Sequence, residues 1–297
     1  MRSVLTPPAH SPVVSDVDIE IAEAIAQAGH CVRTCREITT IRFPTINRRV
    51  YRVDLESGET IKIRRLEDEP TAQRLFESRQ DLPDTFVPAF YQHGRVVLER
   101  WVDGRILGIM PPTDAQLVET GMLLAGLHAR GRRTPEANSE DDMSAWRLRT
   151  EGRLQQLVEA CALSAKDAAR IGHVLQRSEP RRGALGVGHF DFCGENMLVD
   201  HSGRLRVFDN DRIGVGSLGY DVGRAWYRWG LSAEAWTIFR TAYTSVLPDD
   251  APFVSLDFWR IVALVQSACL RLHTDPQYLL APVSALRQLA VADGVWR

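Results

Sequence analysis

The densest run of polar groups in the chain is His189-Phe190-Asp191-Phe192-Cys193-Gly194-Glu195-Asn196, with Asp209 following two short apolar runs. Those runs, 197–199 and 205–208, flank Asp200-His201-Ser202-Gly203 and read as the arms of a hairpin. Antiparallel arms would bring Asn196, which enters the first, beside Asp209, which leaves the second. An amide oxygen and a carboxylate so placed are hard donors suited to Mg2+, which takes few protein ligands and keeps places for water and phosphate. Asp191 lies on the loop just before Asn196, where a carboxylate could orient a substrate hydroxyl and accept its proton. Cys193 shares the loop, but no His–Cys arrangement makes it a nucleophile. It reads as a filler residue at which alkylation would block the site.

These groups need a frame, and the local patterns supply one. Asp16–Ala28 has helical spacing closed by Gly29, and residues 1–15 are Pro/Ser-rich and expected to be loosely held. Ile38–Phe43, Val50–Leu55 and Thr60–Arg65 read as strands, with Glu56-Ser57-Gly58-Glu59 as the turn between the last two. Pro70–Asp81 reads as a helix and Val96–Trp101 as a further strand leading into Val102-Asp103-Gly104. Beyond that point the pattern is helical, with Asp114–Ala129, Trp146–Glu159 and Ala165–Arg177, apart from the hairpin. The expected organisation is α+β: a small strand-rich part, 1–101, and a larger helical part, 102–297.

Composition sets the outer limits. The 297 residues are 44% hydrophobic and 25% charged, the mix of a soluble globular protein. A net charge of −2 promises no nucleic-acid footprint. Five scattered cysteines point to a reducing, cytoplasmic compartment rather than a disulfide framework. Pro7, Pro8 and Pro12 interrupt any signal-peptide core, and the apolar stretch Phe258–Leu270 is too short to span a bilayer. Of 36 Lys and Arg residues only Lys62 and Lys166 are lysines, so a strand lysine at 62 stands out as a place that calls for an ammonium.

His189, Asp191, Asn196 and Asp209, followed by Tyr220-Asp221-Val222-Gly223, together resemble the catalytic segment of the aminoglycoside-phosphotransferase-like kinases. These are relatives of choline and homoserine kinases with a bilobal protein-kinase-like fold. The resemblance implies an O-phosphotransferase that uses ATP or GTP with Mg2+ and acts on a hydroxyl of a small molecule, such as an antibiotic, nucleoside, sugar or amino alcohol. In that frame Asp191 orients the acceptor, Asn196 and Asp209 bind metal, His189 supports the loop and Asp221 braces it through its backbone. Lys62 grips the nucleotide phosphates, and Glu77 on the following helix is the better-spaced acidic partner, with Glu69 or no partner left open. Residues 99–101, including Glu99 and Trp101, resemble the hinge whose backbone reads the adenine edge. Leu123–His128 resembles the family helix ending in Leu-His, with His128 a packed structural residue.

The sequence also departs from the family pattern. The turn 43–49 has no glycine, Phe190 stands where glycine is usual, and Asn210-Asp211 follow the candidate metal ligand. A protein kinase is disfavoured, because the His-x-Asp segment lacks the Arg of His-Arg-Asp and no Ala-Pro-Glu element follows. A non-catalytic nucleotide-binding module is the other alternative. Residues 134–182 and 222–297 have balanced charge and the latter is rich in aromatics, which argues against a polycationic acceptor.

Overall fold

The computed structural model describes residues 19–39, 48–80, 82–109, 112–130, 143–248, 250–274 and 276–291. They form two compact units: one takes the residues up to 80 with Val87–Val102, the other Leu82–Phe86 with the residues from Asp103 onward.

In chain order the first unit runs α1 (Ile19–Gln27), β1 (Val32–Glu37), β2 (Arg49–Leu55), β3 (Thr60–Arg65), α2 (Glu69–Gln80), β4 (Ala89–His93) and β5 (Val96–Arg100). The strands make one antiparallel sheet in the order β1-β2-β3-β5-β4. Alternation along β3 and β5 divides their side chains between two faces. Ile61, Ile63, Val96 and Leu98 face α1, whose Ile21, Ala24 and Ile25 complete that core. Val97 faces the other way, toward Ala72 and Leu75 of α2. Lys62, Arg64 and Glu99 share this second face by the same alternation.

The first strand differs from the sequence expectation. It is Val32–Glu37, in register from Val32 opposite Leu55 to Glu37 opposite Tyr51, whereas Ile38–Phe43 was expected. Ile38 still donates its N–H to Val50 O at 2.8 Å, and residues 40–43 lie outside the described residues. β1 is an edge strand, which tolerates Arg33 and Arg36 on its exposed side, so hydrophobic patterning points past it. Strand β4 also carries no clear period-2 signal and was not anticipated.

The second unit adds β6 (Gly104–Ile106), α3 (Asp114–Ala129), α4 (Met143–Glu159), α5 (Ala165–Arg177), β7 (Leu185–Gly188), β8 (Met197–Asp200), β9 (Leu205–Val207), β10 (Gly214–Ser217), α6 (Leu218–Trp229), α7 (Ala233–Val246), α8 (Leu256–Thr274) and α9 (Leu280–Val291). The expected hairpin is present as β8–β9 and carries β6 on its other edge, while β7 and β10 form a separate ribbon. A capping box between Thr113 and Gln116 starts α3 at the expected residue. Helix α8 is buried through most of its length and forms the centre of the main core. Helix α6 lies directly on it: a methyl group at Gly219 would come within 2.1 Å of the Trp259 indole, and one at Gly223 within 2.5 Å of the Trp259 carbonyl. This close seat sets which stripe of α6 is left for the loop 189–196. No helix among the described residues is long and apolar enough to cross a membrane.

Candidate active site

The loop 189–196 is held from beneath by one stripe of α6. Asp221, Arg224 and Arg228 recur at helical spacing, so they project from one side of the helix on successive turns. Each meets a different loop residue. Asp221 Oδ2 accepts the backbone N–H of His189 at 2.6 Å. Arg224 donates from Nε at 2.6 Å and again from Nη2 to the same oxygen, Oδ1, of Asp191. Arg228 donates to Glu195 Oε1 at 2.5 Å.

Asp191 therefore has one carboxylate oxygen clamped, and its side chain keeps 20% exposure against 6% for Arg224. Burial alone would raise the Asp191 pKa, but the charges of Arg224 and Arg212 hold it below the usual carboxylate range. The same pair keeps Arg224 more firmly protonated than an ordinary guanidinium, although burial opposes this. The carboxylate is ionised and oriented.

His189 is fully buried between Phe86 and Phe192. Its Nδ1 accepts the Asp191 N–H at 3.2 Å, which leaves the proton on Nε2, 3.0 Å from Asn210 Oδ1. Burial lowers its pKa, outweighing the charges of Asp221 and Asp191 that would raise it, so the imidazole is neutral and both nitrogens are engaged. This geometry suits support of the loop rather than proton transfer. Asn210, one of the departures noted in the sequence, is the partner that sets this tautomer. His128 is also buried and joins Tyr243 (2.7 Å) and Asp221 (3.3 Å).

Phe190 occupies a left-handed backbone position, φ +57°, which explains why glycine is usual there. The conformation costs an ordinary residue about 1–2 kcal/mol. Its ring offsets this by lying over the β7–β10 ribbon. Methyl groups at Gly188 and Gly216 would come within 2.9 and 2.6 Å of the ring. Cys193 is buried, and burial followed by the Asp191 charge pushes its thiol pKa far up. Alkylation is therefore disfavoured, contrary to the sequence expectation.

Asn196 and Asp209 lie at the open end of the hairpin, just before β8 and two residues after β9. The Phe208 N–H donates to Asn196 O at 2.9 Å, one residue before Asp209, whose φ of +59° turns the chain out of β9. Asn196 Nδ2 donates to Asp191 O at 2.9 Å, which points its amide oxygen away from that carbonyl. A carboxamide oxygen and a carboxylate fit a hard cation whose other places are taken by phosphate and water. Among the described residues, no group of three or more His, Cys, Asp or Glu forms a closed metal cage.

In the first unit, Lys62 stands opposite Glu99 in the β3–β5 register, with Nζ 3.6 Å from Oε2. Glu77 is directed elsewhere: it accepts from Gln73 at 2.8 Å on the exposed side of α2. An acidic partner of Lys62 is thus on the neighbouring strand, and Glu77 is not one. The reason is helical phase, since Ala72, Leu75 and Arg79 form the buried stripe of α2 and Glu77 falls off it. Glu99 is also placed differently from the hinge expectation. It lies inside β5, paired with strands on both sides, and its side chain is committed to ion pairs. Trp101 follows β5, with the Arg52 guanidinium 4.8 Å from its ring centroid.

Arg224, Arg228 and Asn210 were not foreseen as site residues. The i, i+3, i+7 spacing of Asp221, Arg224 and Arg228 was the available signal for the first two. Asn210 was marked only as a departure from the family pattern, with no role attached to it.

The architecture, an antiparallel sheet with flanking helices and a helical second unit, is that of the protein-kinase-like fold. Solved structures with this fold match the chain over nearly its whole length. A macrolide 2'-phosphotransferase type I superposes with TM-score 0.65 at 14% identity, covering 93% of this chain and 98% of that one. A choline kinase from Streptococcus pneumoniae gives TM-score 0.65 at 12% identity, covering 92% and 96%. A spectinomycin phosphotransferase in complex with ADP and spectinomycin gives 0.57 at 14%, covering 92% and 98%. Sequence comparison with curated proteins finds no significant match. The model of the phosphotransferase enzyme family (APH) matches residues 45–252, and the chain belongs to that family. It is a phosphotransferase.

Proposed function

We propose that the protein transfers the terminal phosphoryl group of ATP or GTP, with Mg2+, to a hydroxyl of a small molecule. The observation that carries this reading is the Asp191 carboxylate, ionised and clamped through Oδ1 by Arg224 beside the Asn196–Asp209 pair. With Oδ1 held, Oδ2 is the oxygen left to accept a hydrogen bond from an acceptor hydroxyl. As the acceptor oxygen bonds to phosphorus and the bond to the leaving phosphate breaks, the hydroxyl proton passes to Asp191. Asn196 and Asp209 would hold Mg2+, which neutralises charge on the phosphates when bound. In the first unit, Lys62 would offer an ammonium to nucleotide phosphate, and Trp101 would meet the base.

Arg224 and its neighbours do the positioning. Asp221 holds the loop at His189, and the neutral imidazole holds the Asp191 backbone from the other side. The match to an ADP-bound spectinomycin phosphotransferase supports nucleotide use. Macrolide and choline kinases of the same fold support a small hydroxylated acceptor.

The test is incubation with ATP or GTP, Mg2+ and a panel of sugars, nucleosides, amino alcohols and antibiotics, read by mass spectrometry. One acceptor is expected to gain a single phosphoryl group, and Asp191→Asn is expected to abolish that gain. Turnover of that acceptor undiminished in Asp191→Asn would overturn the assignment. Nucleotide binding with no transfer to any acceptor would favour a binding module instead.

A further inference from the structure

Three cations of the first unit converge on one buried carboxylate. Glu99 is 2% exposed. Arg64 Nε donates to its Oε1 at 2.7 Å, and Arg79 Nη1 donates to the same oxygen at 2.5 Å. Lys62 Nζ stands 3.6 Å from the other oxygen, Oε2. Both guanidinium groups are 1% exposed, so neither is a surface residue that happens to lie nearby. Burial by itself would push the Glu99 pKa up, but the charges of Arg64, Arg79 and Lys62 outweigh it and keep the group ionised.

We propose that Glu99, and no carboxylate of α2, is the positioning residue that aims Lys62 at the nucleotide phosphates. The two arginines pin Oε1, and the planar carboxylate then presents Oε2 to the ammonium. The proposal rests on the reading of Lys62 as the phosphate-gripping residue. In protein kinases the strand lysine is paired with a glutamate of the following helix, so the pair forms only when that helix is in place. Here the pair is built into the register of two adjacent strands, Lys62 opposite Glu99. Helix α2 contributes a cation, Arg79, where the kinase pattern needs an acid, and is itself anchored by Glu99. A shift of α2 would remove the Arg79 clamp but leave Arg64 and the strand register holding Glu99 opposite Lys62.

The presence of only two lysines makes this pairing directly measurable. Selective 13C labelling of lysine in the full chain gives two side-chain signals, assigned with Lys166→Arg. Glu99→Gln is expected to displace the Lys62 signal and leave Lys166 in place, while Glu77→Gln moves neither. In kinetics, Lys62→Met is expected to lower kcat by about 10²–10³-fold, the scale of losing one electrostatic donor. Glu99→Gln lowers kcat in the wild-type background but adds less than about twofold once Lys62 is Met, as expected of a residue acting through another. Glu99→Asp recovers part of the loss, and Glu77→Gln stays within about twofold of wild type.

A Lys62 signal that ignores Glu99→Gln, or a Glu77→Gln loss matching that of Lys62→Met, would overturn the proposal. If Glu99→Gln fails to fold, the Glu77→Gln comparison still decides it. Undiminished turnover in Lys62→Met would count against the phosphate reading, while the labelling would still report the pairing.

Discussion

Replacing Arg224 by methionine separates two roles that the clamp on Asp191 combines, orientation and control of charge. Breaking a buried ion pair by removing one partner costs about 3–5 kcal/mol. Here the two directions are unequal, because the Asp191 side chain is 20% exposed and that of Arg224 only 6%. Arg224→Met leaves a carboxylate that water can partly solvate and fills the space of the arginine stem, so about 2 kcal/mol is expected. In a chain of this size that is a fall in Tm of roughly 3 °C. Asp191→Asn strands the more deeply buried guanidinium and is expected to cost more, about 3–4 kcal/mol.

Activity should rank the two variants the same way, for a different reason. Asp191→Asn removes the proton acceptor and should lower kcat by about 10²–10⁴-fold. Arg224→Met keeps the acceptor but loosens its aim, for about a 10–100-fold loss. The distinguishing readout is the pH profile of kcat. Arg224 is the larger of the two charges holding the Asp191 pKa below the ordinary range, so its removal should move the acid limb to higher pH. Steady-state kinetics across pH, with calorimetry on the same samples, measures both effects. An acid limb unchanged in Arg224→Met would refute the argument that this guanidinium keeps Asp191 ionised.

Other consequences follow from the same geometry. Gly188→Ala would put a methyl group 2.8 Å from the Asp221 carboxylate and 2.9 Å from the Phe190 ring. Overpacking of this kind costs about 1–3 kcal/mol, and a joint fall of Tm and kcat is expected, whereas unchanged values would show that the ribbon yields freely. Because burial lowers the His189 pKa, the unfolded chain takes up that proton first as pH falls. Stability should therefore decline once pH drops below about 6.5, and His189→Asn should remove that part of the decline in a Tm–pH series. Glu99 and Asp191, held low in the fold, should add a further loss as pH falls through the ordinary carboxylate range of about 4. Iodoacetamide under native conditions should label exposed Cys31 and Cys161 well before buried Cys193, as peptide mass mapping can establish.

The residues of the candidate site stand out in local sequence. Asp191, Asn196 and Asp209 were legible because a hairpin is a short-range structure whose period-2 arms dictate which residues meet at its end. The bounds of α3 and α5 were legible for a similar reason, through cap residues and helical period. Lys62 was legible as a strand residue by contrast with a chain that otherwise uses arginine.

What only the tertiary structure decided is partnership. Whether Lys62 meets Glu77 or Glu99 depends on the strand order β3-β5 and on the rotation of α2 about its axis. Neither is encoded in any window of neighbouring residues. That Arg224 reaches Asp191 depends on α6 being seated on Trp259 through Gly219 and Gly223. Local periodicity sets which side chains share a face, but the packing of distant elements sets what that face meets. In this protein that second step ionises and aims the residues that the first had placed.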